Sequence, residues 1–174
     1  MATILKLTDR IAHGAFADVF SPDPGDRVFK LFRRLTDPVL KGVAPHVFRA
    51  EVGAYEAVAH DPSLVSHVPR FFGSTQVSAV IGEDGSDSSA EYWLDLCYIL
   101  GRLPADPEER KVGSFFSPKE WHLMAPFEER FEAVGVMHLG DASVLHWRSE
   151  RPMFIDFGLT DAAADHAVIP RGAA

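Results

Sequence analysis

Within Arg27-Val28-Phe29-Lys30-Leu31-Phe32 a lysine sits in an alternating, mostly apolar run, and that pattern demands a strand. The preceding Ser21-Pro22-Asp23-Pro24-Gly25-Asp26 is turn chemistry, so the strand closes a hairpin with Asp18-Val19-Phe20. Thr3 to Leu7 reads as a further strand. The period then changes. From about Pro45, the apolar residues Val47, Phe48, Val52, Tyr55 and Val58 recur at helical spacing until His60-Asp61-Pro62 ends the run. Strand character returns from Val68 to Val80 and from Tyr92 to Leu100, separated by the polar loop Gly82 to Ser89. Gly101-Arg102-Leu103-Pro104 breaks the pattern and divides residues 1–100 from 101–174. Ser117-Pro118-Lys119-Glu120 is a capping box that opens a second helix along Met124, Phe127, Phe131 and Val134, which Pro126 should kink or divide. Val144 to Trp147 and Met153 to Ile155 predict a second hairpin. Strands followed by helices, with a hinge between, make the fold class α+β.

With 174 residues, 47% hydrophobic and 24% charged, the chain is globular rather than disordered. No apolar run has the roughly 18 to 20 residues of a membrane-spanning helix, so no membrane partner is expected. The start Met1-Ala2-Thr3-Ile4-Leu5-Lys6 lacks the pattern of a signal peptide. A single cysteine, Cys97, excludes an intrachain disulfide and points to a reducing, cytoplasmic compartment. A net charge of -8 argues against general nucleic-acid or anionic-lipid affinity but leaves a local phosphate site open.

Two acidic residues on turns flank the second hairpin. Asp156 stands in Asp156-Phe157-Gly158 directly after Met153-Phe154-Ile155, and Asp141 ends His138-Leu139-Gly140-Asp141. An acid after an apolar strand can hold a divalent cation, and one on the preceding loop can orient a hydroxyl. Near the N-terminus, Ala12-His13-Gly14-Ala15-Phe16-Ala17-Asp18-Val19 forms a strand-to-strand turn around one glycine. There the amides near Gly14, Ala15 and Phe16 can approach phosphate oxygens, with Val19 behind them. Lys30 follows one hairpin later, where an ordinary solvated lysine is the plain alternative. Glu51, on the face shared with Tyr55 and Val58, is the better anchor for it; Glu56 is the competitor. The scattered histidines carry no zinc-site spacing, and Cys97 in an apolar strand reads as a core residue.

The glycine turn, Lys30, Glu51, a hinge near Tyr98 to Gly101, Asp141 and Asp156 occur in the order of the protein-kinase motifs. Two departures stand out. Ala12 and Ala17 replace the outer glycines of the loop, and His146 occupies the place of the metal-binding asparagine, leaving Ser143 as the substitute ligand. The chain ends soon after Asp156, with no Ala-Pro-Glu motif. This minimal layout resembles the HopBF family of bacterial type III effector kinases. The resemblance implies a bilobal kinase-like fold, with an antiparallel-sheet N-lobe at 1–100 and a truncated, mainly helical C-lobe at 101–174. It implies a protein serine/threonine kinase that uses ATP and magnesium. Lys30 and Asp141 would be catalytic, Gly14, Ala15, Phe16, Val19, Lys30, Glu51 and Tyr98 would bind ATP, and Asp156 and Ser143 would hold the metal. It further implies secretion into a host cell and, as protein substrate, the ninety-kilodalton heat-shock chaperone. A monomer with constitutive activity is expected, since there is no activation segment to order. A catalytically dead nucleotide-binding module and a small-molecule phosphotransferase remain the alternatives.

Overall fold

The computed structural model of the chain describes residues 3–22, 25–38, 40–102, 110–112, 118–136, 143–146 and 152–157. Its strands are β1 (Ile4–Lys6), β2 (Arg10–His13), β3 (Ala17–Phe20), β4 (Arg27–Arg33), β5 (Phe71–Thr75), β6 (Ala79–Ile81), β7 (Tyr92–Gly101), β8 (Arg110–Val112), β9 (Ser143–His146) and β10 (Pro152–Ile155). The described α-helices are α1 (Ala44–Ala59) and α2 (Pro118–Ala133), so the class is α+β, with two antiparallel sheets and one parallel strand pair. None of the described helices is long and apolar enough to cross a membrane. The chain forms two compact units: Met1–Phe48 with Phe71–Arg102, and Arg49–Arg70 with Leu103–Ala174.

The first unit is built on a five-stranded sheet of order β2-β3-β4-β7-β5. Every neighbouring pair is antiparallel. Alternation along the strands gives its faces different jobs. Phe20, Leu31 and Cys97 point to one side, where Leu5, Val77, Val80 and Tyr92 complete a buried apolar cluster. On the other side Phe32, Tyr98 and Phe48 form an aromatic group, with Phe32 and Phe48 edge-to-face at 5.5 Å. The strand character expected across Val68 to Val80 divides in two. Phe71–Thr75 joins the large sheet, whereas Ala79–Ile81 pairs in parallel with β1. Between them the Val77 amide donates to the Leu94 carbonyl at 2.8 Å and the Ser78 amide to the Thr3 carbonyl at 2.7 Å. The fully buried Val77 side chain is the point where the chain changes sheets.

In the second unit α1 ends at Ala59, and the Asp61 carboxylate organises the exit. Its Oδ1 accepts from the Ser63 amide at 2.7 Å, the Ser63 hydroxyl at 2.6 Å and the Leu64 amide at 3.2 Å. The second helix begins with Pro118 at its first position, as the capping box predicts. It runs unbroken through Pro126 to Ala133, so the expected division is absent. Pro126 lacks a backbone donor, and the aromatic packing of Phe127 and Phe131 supports the following turn. A Schellman motif closes the helix: the Val136 amide reaches the Phe131 carbonyl at 2.8 Å, the Gly135 amide the Glu132 carbonyl at 2.9 Å, and Gly135 takes φ 84°. β8, β9 and β10 form an antiparallel sheet in the order β10-β9-β8, and the predicted hairpin is its β9–β10 pair. Phe127, Phe131, Phe154 and Phe157 then stack at 4.8 to 5.7 Å into one aromatic core. His67 lies 4.6 Å from the Phe127 ring, with its Nδ1 3.0 Å from the Pro152 carbonyl.

Candidate functional site

In the first unit the β3–β4–β7 register gathers three of the nominated residues into one row. Val19 is paired with Lys30, and Lys30 with Tyr98. Directly opposed residues share a face, so these side chains leave the sheet on the same side. The half-buried Lys30 has its Nζ 5.9 Å from the Phe32 ring centroid and 6.0 Å from that of Tyr98. Tyr98 itself is fully buried. The aromatic group holds the lysine stem and leaves the ammonium as the polar end of an apolar wall.

Gly14, Ala15 and Phe16 form the tip of the β2–β3 hairpin. The Gly14 amide donates to the Ala17 carbonyl at 2.9 Å, and a Cβ at Gly14 would lie 3.1 Å from that same oxygen. A side chain there would need the turn to give by a few tenths of an ångström, which glycine avoids. Arg33, at the end of β4, takes the carbonyls of the tip. Its amide donates to the Phe16 carbonyl at 2.9 Å, and its Nη2 donates to Ala15 O at 2.9 Å and to Gly14 O. Beneath the turn lies Asp18, fully buried. Its Oδ2 accepts from the Tyr92 hydroxyl at 2.7 Å and from Arg10 Nη1 at 3.3 Å. Its Oδ1 lies 2.7 Å from His13 Nδ1 and 3.6 Å from Arg33 Nε. The hydrogen bond to Asp18 raises the Arg10 pKa further, and burial together with that carboxylate pushes the Tyr92 phenol upward.

In the second unit, Glu51 lies on the buried stripe of α1 in line with Tyr55 and Val58, and it is 2% exposed. Its competitor Glu56 is exposed. An ionised carboxylate is kept in such a place only where cations or donors face it. Tyr55 stands edge-to-face on Phe157, centroids 5.2 Å apart. Burial first, then the nearby Glu51 and Asp156 charges, hold its phenol well above the usual tyrosine range. Asp156, half-buried at the end of β10, has φ 66°, the one non-glycine residue in the left-handed region among those described. This costs about 1 kcal/mol or more, and such outliers cluster at functional positions. Asp156 therefore emerges from the strand at a sharp turn, with its neighbour Phe157 locked into the core.

Asp141 and Gly158 lie outside the described residues. Ser143 begins β9, where it pairs with Ile155 next to Asp156, but its side chain lies outside them too. Among the described residues no group of three His, Cys, Asp or Glu side chains is set to hold a metal ion. Asp156 alone suits magnesium, which commonly takes one or two protein carboxylates and completes its shell with phosphates and water.

Two residues of this arrangement escape a reading by motif: Asp18 and Arg33. The signal for Asp18 was present, since aspartate is depleted inside strands and here it interrupts the inward-facing series. Arg33 carries no signal, because an arginine at a strand end is commonplace. Comparison of the chain with protein-family models, with curated proteins and with solved structures finds no match.

Proposed function

We propose that this chain is a protein serine/threonine kinase that transfers the γ-phosphoryl group of ATP to a protein hydroxyl. The observation that carries the reading is the cross-strand row Val19–Lys30–Tyr98 one hairpin beyond the Gly14 turn. It supports a glycine turn and a lysine acting on one nucleotide. The burial of Glu51 and the left-handed turn at Asp156 add to it. In this reading Lys30 holds the α- and β-phosphates, and Glu51 keeps the lysine in place. Asp156, with Ser143 as a weaker second ligand, would hold magnesium. Held there, magnesium would supply charge neutralisation to the nucleotide phosphates. Asp141 orients the acceptor hydroxyl and takes its proton. Catalysis comes from positioning and from fixed charge, with no covalent intermediate on the protein. The acceptor class follows the HopBF resemblance, and the first acceptor to try is the ninety-kilodalton heat-shock chaperone.

The test is incubation of the purified protein with magnesium and γ-labelled ATP in a eukaryotic lysate, beside an Asp156→Asn variant. A labelled band near ninety kilodaltons, lost in the variant, is the expected result. Label on other proteins keeps the kinase and discards the chaperone. No label in any fraction, with nucleotide still bound, replaces the kinase by a nucleotide-binding module.

A further inference from the structure

The Asp18 group has no part in the kinase motifs, yet it brings several charged and polar side chains together. Arg10, His13, Arg33 and Tyr92 converge on one fully buried carboxylate. Such an arrangement is costly to desolvate and is kept only where its geometry is used or fully paired. Its geometry leads to the turn. Arg33 is the member that continues beyond Asp18, and it gathers all three carbonyls of the tip: Gly14, Ala15 and Phe16.

The direction of those carbonyls fixes the direction of the amides. The described peptide bonds are all trans. In a trans peptide the C=O of one residue and the N–H of the next point opposite ways. With the Gly14 and Ala15 carbonyls drawn to the Arg33 guanidinium, the Ala15 and Phe16 amides are turned away from it. Among the described residues, neither of these amides donates to a backbone carbonyl. Successive outward N–H groups in a turn form an anion-binding concavity.

We infer that Arg33, braced by the buried Asp18, is the positioning residue that turns the Ala15 and Phe16 amides outward as a cradle for nucleotide phosphate. The inference rests on the nucleotide-binding reading of the turn and deepens it. Kinase loops obtain this backbone shape from three glycines. This chain has one, Gly14, with Ala12 and Ala17 in the outer places. A side chain anchored on the sheet imposes here what glycine freedom would otherwise permit. Arginine suits the task because one planar fork reaches two carbonyls while its Nε faces the carboxylate; lysine, a point charge, cannot.

The experiment is titration of the wild type and an Arg33→Lys variant with Mg-ATP and, separately, with adenosine, alongside amide heteronuclear NOE measurements on the ligand-free proteins. Arg33→Lys should weaken Mg-ATP by about tenfold, the size expected for charge-assisted hydrogen bonds that no longer hold the turn. Adenosine affinity should stay unchanged, and the NOE at Ala15 and Phe16 should fall. Equal weakening of both ligands would mean general damage to the unit and would overturn the inference, as would unaltered Mg-ATP affinity. Asp18→Asn, which weakens the ion pair to Arg33 together with the contacts to Arg10 and His13, should give the same split between ligands; if it fails to fold, Arg33→Lys decides alone. A wild type that binds neither ligand sinks the kinase reading, and the clamp is then judged on the NOE alone, where no change in Arg33→Lys overturns it.

Discussion

Asp156 shows how a single backbone angle bears on the design of a test. With φ 66°, the position favours glycine, asparagine or aspartate, and an alanine there carries a left-handed cost of about 1 to 2 kcal/mol. Asp156→Ala would therefore mix lost charge with lost stability. Asp156→Asn keeps the turn and removes only the negative charge. Its expected outcome is a melting temperature within a few degrees of wild type and a phosphotransfer rate lower by about 100- to 1000-fold, the scale set by removing one preorganised electrostatic contact. Lys30→Met should reproduce the loss while preserving the apolar stem against Phe32 and Tyr98. Full activity in either variant, measured with labelled ATP on a protein acceptor, defeats the assignment.

At the scale of the element, α1 and α2 make separate predictions. Along α1 the buried stripe includes Val47, Glu51, Tyr55 and Val58, so one glutamate of the helix is inside and another, Glu56, is in water. On the proposed reading Glu51→Gln should lower the rate by about 10- to 100-fold, with Glu56→Gln close to wild type. Equal effects in a steady-state assay would deny Glu51 its place. In α2, exposed Pro126 interrupts an otherwise continuous helix. Pro126→Ala restores the missing backbone donor and should raise stability by about 1 to 3 kcal/mol in urea unfolding. The helices were legible because both carry the 3.6 period, and Pro118 marks one start while His60-Asp61-Pro62 marks one end. Strands β2 and β8 were not read from the sequence. All four residues of β2 are exposed, so no alternation of burial announces it, and its hydrogen bonds to β3 are what define it. Of the candidate site, Lys30 and Glu51 were legible as polar residues in apolar patterns. Arg33 was not, because its meaning lies in what it touches across strands, and Asp18 showed only as an aspartate inside a strand, without its partners.

Over the whole molecule, buried neutral acids tie stability to alkaline pH in both units. Burial pushes the Cys97 thiol up to about 12 from an ordinary value of 9.0. It also raises the Tyr92 phenol in the first unit and the Tyr55 phenol in the second above their ordinary 10.0. In each case the neutral, protonated form is the one the folded interior accepts, so the folded pKa lies above the unfolded one. The contribution is complete below the unfolded value. Above it the unfolded chain releases the proton first, and stability falls as pH rises toward the folded value. For Cys97 that window runs from about 9 to about 12, with a slope of about 1.4 kcal/mol per pH unit while it lasts. Urea unfolding followed at several values between pH 8 and pH 11 should show a steady decline in wild type. Cys97→Ala should be less stable at pH 8, because it leaves a small cavity beside Leu31 and Val80, yet its decline above pH 9 should be shallower by about that same slope. Parallel curves for the two proteins would mean that the thiol titrates alike in the folded and unfolded chain. The buried cluster of the first unit would then admit solvent at Cys97, against the full enclosure found here. The same burial makes the thiol unreactive, so iodoacetamide at pH 8 should modify Cys97 at the rate of unfolding and no faster.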